Sequence, residues 1–166
     1  MVLGMSLATF TALHVVISLI AIATGLVVAA GMLSASRLPG WTAVFLITTV
    51  LTSVTGFIFP FTQVLPSHIV GAISLVVLGL ALLALYAKGL AGSWRGVYVI
   101  GSIFALYLNV FVLVVQAFLK IPALNRLAPT GSEPPFLVAQ LVVLALFIWL
   151  GVQAVRRFHP GPARVA

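Results

Sequence analysis

The stretch 7–33 reads LATFTALHVVISLIAIATGLVVAAGML and holds no Asp, Glu, Lys or Arg. Crossing the hydrocarbon of a bilayer takes about 20 mostly apolar residues in helical form, and this run is long enough. A cleaved signal peptide would show a basic start and an apolar core of about 7–15 residues. The run has neither, so it is expected to persist as a first span. Four more uncharged apolar runs follow, at 42–61, 67–87, 97–119 and 136–155. Breakers and polar residues separate them: SASRLPG at 34–40, TQVLP at 62–66, KGLAGSWRG at 88–96 and a proline-rich segment at 120–135.

Composition agrees with this reading. Of 166 residues, 63% are hydrophobic and 5% are charged, whereas a water-soluble domain carries about 25% charged residues. Too few polar groups exist to cover a globular surface, which excludes a soluble enzyme. An α-helix satisfies its own backbone polar groups in lipid, and an isolated strand cannot. The expected fold is therefore an all-α polytopic transmembrane bundle of five spans. Residues 1–157 form a single transmembrane domain, and 158–166 form a cytoplasmic tail. The net charge of +7 comes from eight Lys and Arg against one acid, Glu133. These cations lie at the ends of apolar runs instead of forming a patch, so the expected partner is the lipid bilayer and not nucleic acid. The absence of cysteine excludes disulfides, thiolate metal sites and a thiol nucleophile.

Five spans put the termini on opposite sides. Six of the eight cations (Arg37, Lys88, Arg95, Arg156, Arg157, Arg164) fall on one side, and Lys120 and Arg126 fall on the other. The positive-inside rule then places the C-terminus in the cytoplasm and the N-terminus outside.

Intramembrane polar residues usually face the bundle interior and are functional-site hypotheses by default; interhelical packing is the alternative. At 100° per residue, His14, Ser18, Ala21, Gly25 and Ala29 share a face of the first span. His68, Ala72, Gly79 and Tyr86 share one in the third. Thr48, Thr52 and Thr55 line the second, and Ser102, Ala105, Asn109 and Gln116 the fourth. Gln140, Gly151 and Ala154 line the fifth. His14 lies 19 residues before Leu33, His68 lies 19 before Ala87, and Gln116 lies 19 after Val97. At 1.5 Å per residue each is about 28 Å from the inner boundary. The expectation is an outward-side polar chamber built from His14, His68, Gln63, Asn109, Gln116, Thr52 and Thr55.

The landmarks His14, Gly25, Trp41, Gln63 match His68, Gly79, Trp94, Gln116. His-to-Gly is 11 in both sets, Trp-to-Gln is 22 in both, and Gly-to-Trp is 16 against 15. Two tandem parallel two-helix hairpins plus a fifth helix would follow, with a pseudo-twofold axis along the membrane normal. That axis would set His14 and His68 symmetrically at one depth, as an axially bis-histidine-ligated haem b requires. The same pair is the candidate metal-ligating set, although zinc would want three or four protein ligands. A quinone is a second candidate ligand. Two further readings stay open: a cofactor-free subunit or assembly factor of a larger membrane complex, and a small-solute transporter. A proton pump or ion-coupled carrier would carry more ionisable groups in its spans. Hydrolytic chemistry lacks an acid in any span and a Ser-His-Asp set. The glycine-rich segment 89–96 has no Gly-Lys-Ser/Thr and is not a P-loop.

The segments LPSHIVG (65–71), ALYLNVF (105–111) and APTGSEPP (128–135) resemble small multi-pass proteins of bacterial inner membranes whose function is unknown. The resemblance spans 66–147, about half the chain, and implies a bacterial plasma membrane. A looser likeness to small membrane b-type cytochromes rests on His14 and His68, and those proteins commonly carry more histidines.

Overall fold

The computed structural model describes residues 2–60 and 66–160. Five helices are long and apolar enough to cross a membrane. They are α1 (Leu7–Leu33), α2 (Pro39–Gly56), α3 (Pro66–Leu82, continued by a π-helical turn Leu83–Ala87), α4 (Trp94–Lys120) and α6 (Pro134–Arg157), with a single-turn α5 (Pro122–Asn125) before the last. The chain is an all-α multi-pass membrane protein.

Local chemistry sets most helix ends. The Ser6 hydroxyl oxygen accepts from the Thr9 N–H at 3.1 Å and caps α1. Pro39 opens α2 after Leu38, a residue in the left-handed region at φ 42°, because proline's missing N–H costs nothing in a first turn. This start precedes the expected 42, and α2 ends at Gly56, short of the expected 61. Prolines likewise begin α5 and α6. At the end of α3, the Lys88 N–H reaches back to the Leu83 carbonyl at 2.9 Å, closing a π turn.

The helices make a ring in which α1 packs on α2, α2 on α3, α3 on α4, and α4 on α1. Of the two diagonals, α2 and α4 touch while α1 and α3 do not. The centre is therefore closed along α2–α4. α6 packs outside the ring, against α4 and α1, and buries Ala154 alone.

Gly25 shows why the ring closes. A Cβ built there would lie 2.6 Å from Leu106 Cδ1 and 2.8 Å from Phe45 Cε2. Phe45 and Leu106 are each 1% exposed, so α1 approaches both partners through its missing side chain. Gly79, its supposed counterpart, has no atom within 4 Å of such a Cβ and is exposed. The paired glycines thus occupy unlike environments, and neither leaves space for a macrocycle: one site is filled, and the other faces away from the protein. Tyr86 is also exposed, as is Ala72. The buried face of α3 runs instead through His68, Ser74, Leu78 and Ala81, a correction to the face read from spacing.

One end of the bundle gathers Arg37, Lys88, Arg95, Arg156 and Arg157. Here Arg95 Nη1 donates to the carbonyls of Val155 (2.9 Å) and Phe158 (2.8 Å), satisfying groups left open at the end of α6. Phe158 packs against Tyr98 with ring centroids 5.9 Å apart. At the opposite end, the 120–135 connection is ordered by Asn125 Nδ2 donating to the Phe118 carbonyl (3.2 Å) and by Phe118 against Phe136 (5.4 Å). The Glu133 carboxylate accepts from the Thr130 N–H, the Thr130 hydroxyl and the Ser132 N–H. Desolvation, the largest single influence, raises this carboxyl, but the hydrogen bonds together outweigh it and hold it below the ordinary carboxylate range.

Two outcomes follow from these contacts. Gly25→Ala is expected to cost about 1–3 kcal/mol through overpacking and Gly79→Ala close to nothing, as read by unfolding of the purified protein in detergent. For Glu133 the folded value lies below the unfolded one, so its ordering of the loop is fully present above the ordinary carboxylate range. That order is lost as pH falls through the lowered value. Amide protection at Thr130 and Ser132 should therefore drop in acid, and Glu133→Ala should remove it at neutral pH.

Candidate functional site

The residues expected to share one chamber are distributed over separate seams. In the α1–α2 seam, His14 Nδ1 lies 2.7 Å from the Thr55 hydroxyl oxygen. The ring meets Phe59 edge-on at 5.2 Å, and Phe59 in turn meets Phe10 at 4.8 Å. Phe10 is fully buried and His14 half-buried. Thr55 itself is held by its helix, donating to the Leu51 carbonyl at 2.7 Å with the Thr52 carbonyl at 3.2 Å. Among the described residues, none hydrogen-bonds His14 Nε2. Gly56 lies beside the ring: a Cβ there would meet only His14 Cε1, at 3.9 Å. Gly56 thus adds no side chain against that edge of the imidazole.

His68 belongs to a different seam. It is buried and packs against Phe57, at the end of α2, with centroids 5.6 Å apart. Asn109 reaches across the short diagonal, its Nδ2 3.5 Å from the Thr49 hydroxyl oxygen. Gln116 is exposed, which corrects its expected inward orientation. From their common end, the 27 residues of α4 outreach the 18 of α2, so α2 has already ended at the level of Gln116. Gln63 lies outside the described residues. Thr52 sits one turn from Thr55, and its Oγ1 is buried with no hydrogen-bond partner among the described residues. Thr48 bonds its own helix backbone, and Gln140 Nε2 donates across the α4–α6 contact to the Phe111 carbonyl at 3.2 Å.

This arrangement does not fit a haem shared by His14 and His68. His14 turns its Nδ1 toward α2, not toward α3. Each imidazole packs on a phenyl ring that follows the end of α2, and α1 and α3 make no contact with each other. Among the described residues, no group of three His, Asp or Glu side chains could hold a metal ion. What the seam offers is one oriented imidazole with an uncommitted nitrogen, an aromatic wall and a glycine beside the ring.

Several participants were not evident from spacing alone. Phe10, Gly56 and Phe59 carried no polar signal. Ser53 and Ser74, which bond at 3.0 Å between α2 and α3, look in sequence like ordinary small residues of membrane helices.

The fold and this site define a five-span membrane bundle with a histidine seam near one end of α1 and α2. Compared with protein-family models, characterised proteins and solved structures, the chain matches none.

Thr52 provides a direct check on the seam. Its buried hydroxyl is desolvated with nothing bonded in return, a cost of about 1–3 kcal/mol. Thr52→Val keeps the shape and removes that cost, so it should leave stability unchanged or raise it. Thr55→Val strips the partner of His14 and should lower stability. Thermal or denaturant unfolding in one detergent compares the two.

Proposed function

We propose that the protein is a multi-pass protein of a bacterial inner membrane, N-terminus outside and C-terminus cytoplasmic, that binds a small membrane-soluble ligand at His14. The orientation follows from the charge bias of the loops and tail, with cations concentrated at the Arg37 and Arg95 end. The ligand-binding reading is carried by one observation: His14 is oriented through one nitrogen by Thr55 while the other has no partner among the described residues. With the ring already oriented by Thr55, a ligand that bonds the second nitrogen meets a preorganised group. The surroundings also favour a flat aromatic head group, because Phe59, backed by Phe10, walls the site and Gly56 adds no side chain beside the ring. The quinone class, a lipid-soluble aromatic ring bearing oxygen, has that chemistry.

The purified protein in nanodiscs, titrated with a decyl-substituted 1,4-benzoquinone/benzohydroquinone couple, is expected to bind saturably at one site. His14→Ala should weaken binding about tenfold, the loss of one hydrogen bond. Equal binding by wild type and His14→Ala, or no saturable binding, rejects the reading.

A second reading is favoured by α6, which buries only Ala154 and leaves Leu141, Ile148 and Trp149 well exposed. It makes the chain a subunit of a larger membrane complex that docks along this helix. Native mass spectrometry of protein extracted in a mild detergent should then show a mass above that of one chain, and the single-chain mass alone would reject it.

A further inference from the structure

We infer that the ligand at His14 is a hydrogen-bond donor, namely the phenolic hydroxyl of a membrane-soluble hydroquinone, and not an acceptor such as the matching quinone. This rests on the reading of His14 as a ligand-binding residue and names the chemistry that residue selects.

The argument is proton bookkeeping along one chain of atoms. The Thr55 hydroxyl has a single proton. It is directed at the Leu51 carbonyl at 2.7 Å, with the Thr52 carbonyl at 3.2 Å. Carbonyl oxygens only accept, and with two of them in reach we assign the proton to the helix. With the proton given to the helix carbonyls, Thr55 Oγ1 meets His14 Nδ1, 2.7 Å away, as an acceptor, and the tautomer assigned on that basis puts the ring proton on Nδ1. A neutral imidazole has one N–H, which leaves Nε2 as a bare lone pair. The second nitrogen's role is set by the hydrogen bond the first one makes.

A quinone carbonyl brought to Nε2 would set lone pair against lone pair, whereas a hydroquinone O–H completes the chain O–H to Nε2, Nδ1–H to Thr55, Thr55 to Leu51. Gly56 stands beside the Cε1 edge of the ring, between the two nitrogens, and brings no side chain to crowd a phenol that approaches Nε2. The partly exposed ring of Phe59, itself backed by the buried Phe10, supplies aromatic surface for it. An aliphatic alcohol would satisfy Nε2 but leave that surface unused.

The test has two parts. In protein labelled with 15N-histidine, the long-range 15N–1H spectrum of ligand-free wild type should show His14 as the Nδ1–H tautomer. The Nε2 signal should move when decyl-benzohydroquinone is added. The Nε2–H tautomer in wild type overturns the inference directly. In binding, decyl-benzohydroquinone should be about tenfold tighter than decyl-benzoquinone and tighter than decanol. Thr55→Val should collapse the preference between the two ring states, and Thr55→Ser should keep it. If neither ring compound binds, the ligand-binding reading itself fails. If both bind equally, or the quinone binds more tightly, only the choice of donor fails. Decanol binding as tightly as the hydroquinone overturns the aromatic part of the inference.

Discussion

The approach of α1 to α2 and α4 at Gly25 governs the rest of the bundle. With no side chain at that position, Phe45 and Leu106 press directly on the α1 backbone. Lipid tails are as apolar as the helix surfaces, so water-driven burial gives little reason for spans to associate, and close packing through small residues does that work. Once α2 and α4 are drawn together, one diagonal of the four-helix ring is short and the other long. His14 and His68 lie on the long diagonal with other helices between them.

That geometry explains why the two histidines differ. His68 is buried against Phe57 at the α2–α3 seam. His14 sits half-buried at the α1–α2 seam, tied to a threonine whose own proton we assign to its helix backbone. A hydroxyl bonded back to a helix carbonyl is a common way for threonine to sit in a membrane helix, and here it also leaves an acceptor oxygen aimed across the seam. The same residue type can therefore be packing at Thr48, an orienting partner at Thr55 and an unsatisfied group at Thr52.

The two ends of the protein are built by different means. At the basic end, Arg95 satisfies the last carbonyls of α6 and brings Phe158 onto Tyr98, so a cation is used structurally inside its own chain. At the opposite end, the long connection is held by Phe118 on Phe136 and by the carboxylate of Glu133. The only acid of the chain thus orders the turn that leads into the last span. α6 remains attached along one face and presents the other to its surroundings.

The sequence by itself determined the number, length and chemistry of the spans, because hydropathy and the need to satisfy backbone groups in lipid act locally along the chain. It also marked His14 as an inward-facing polar group, since the helical spacing His14, Ser18, Ala21, Gly25, Ala29 matches the face that α1 turns toward its neighbours. Spacing misled where local regularity ended. The π turn after Leu82 and the buried line through Ser74 and Leu78 left Gly79 and Tyr86 outside, and Gln116 stands on an exposed face of α4. Only the tertiary structure decided which diagonal closes and which atom meets His14. Both depend on side-chain volumes meeting between distant parts of the chain, which no one-dimensional pattern records.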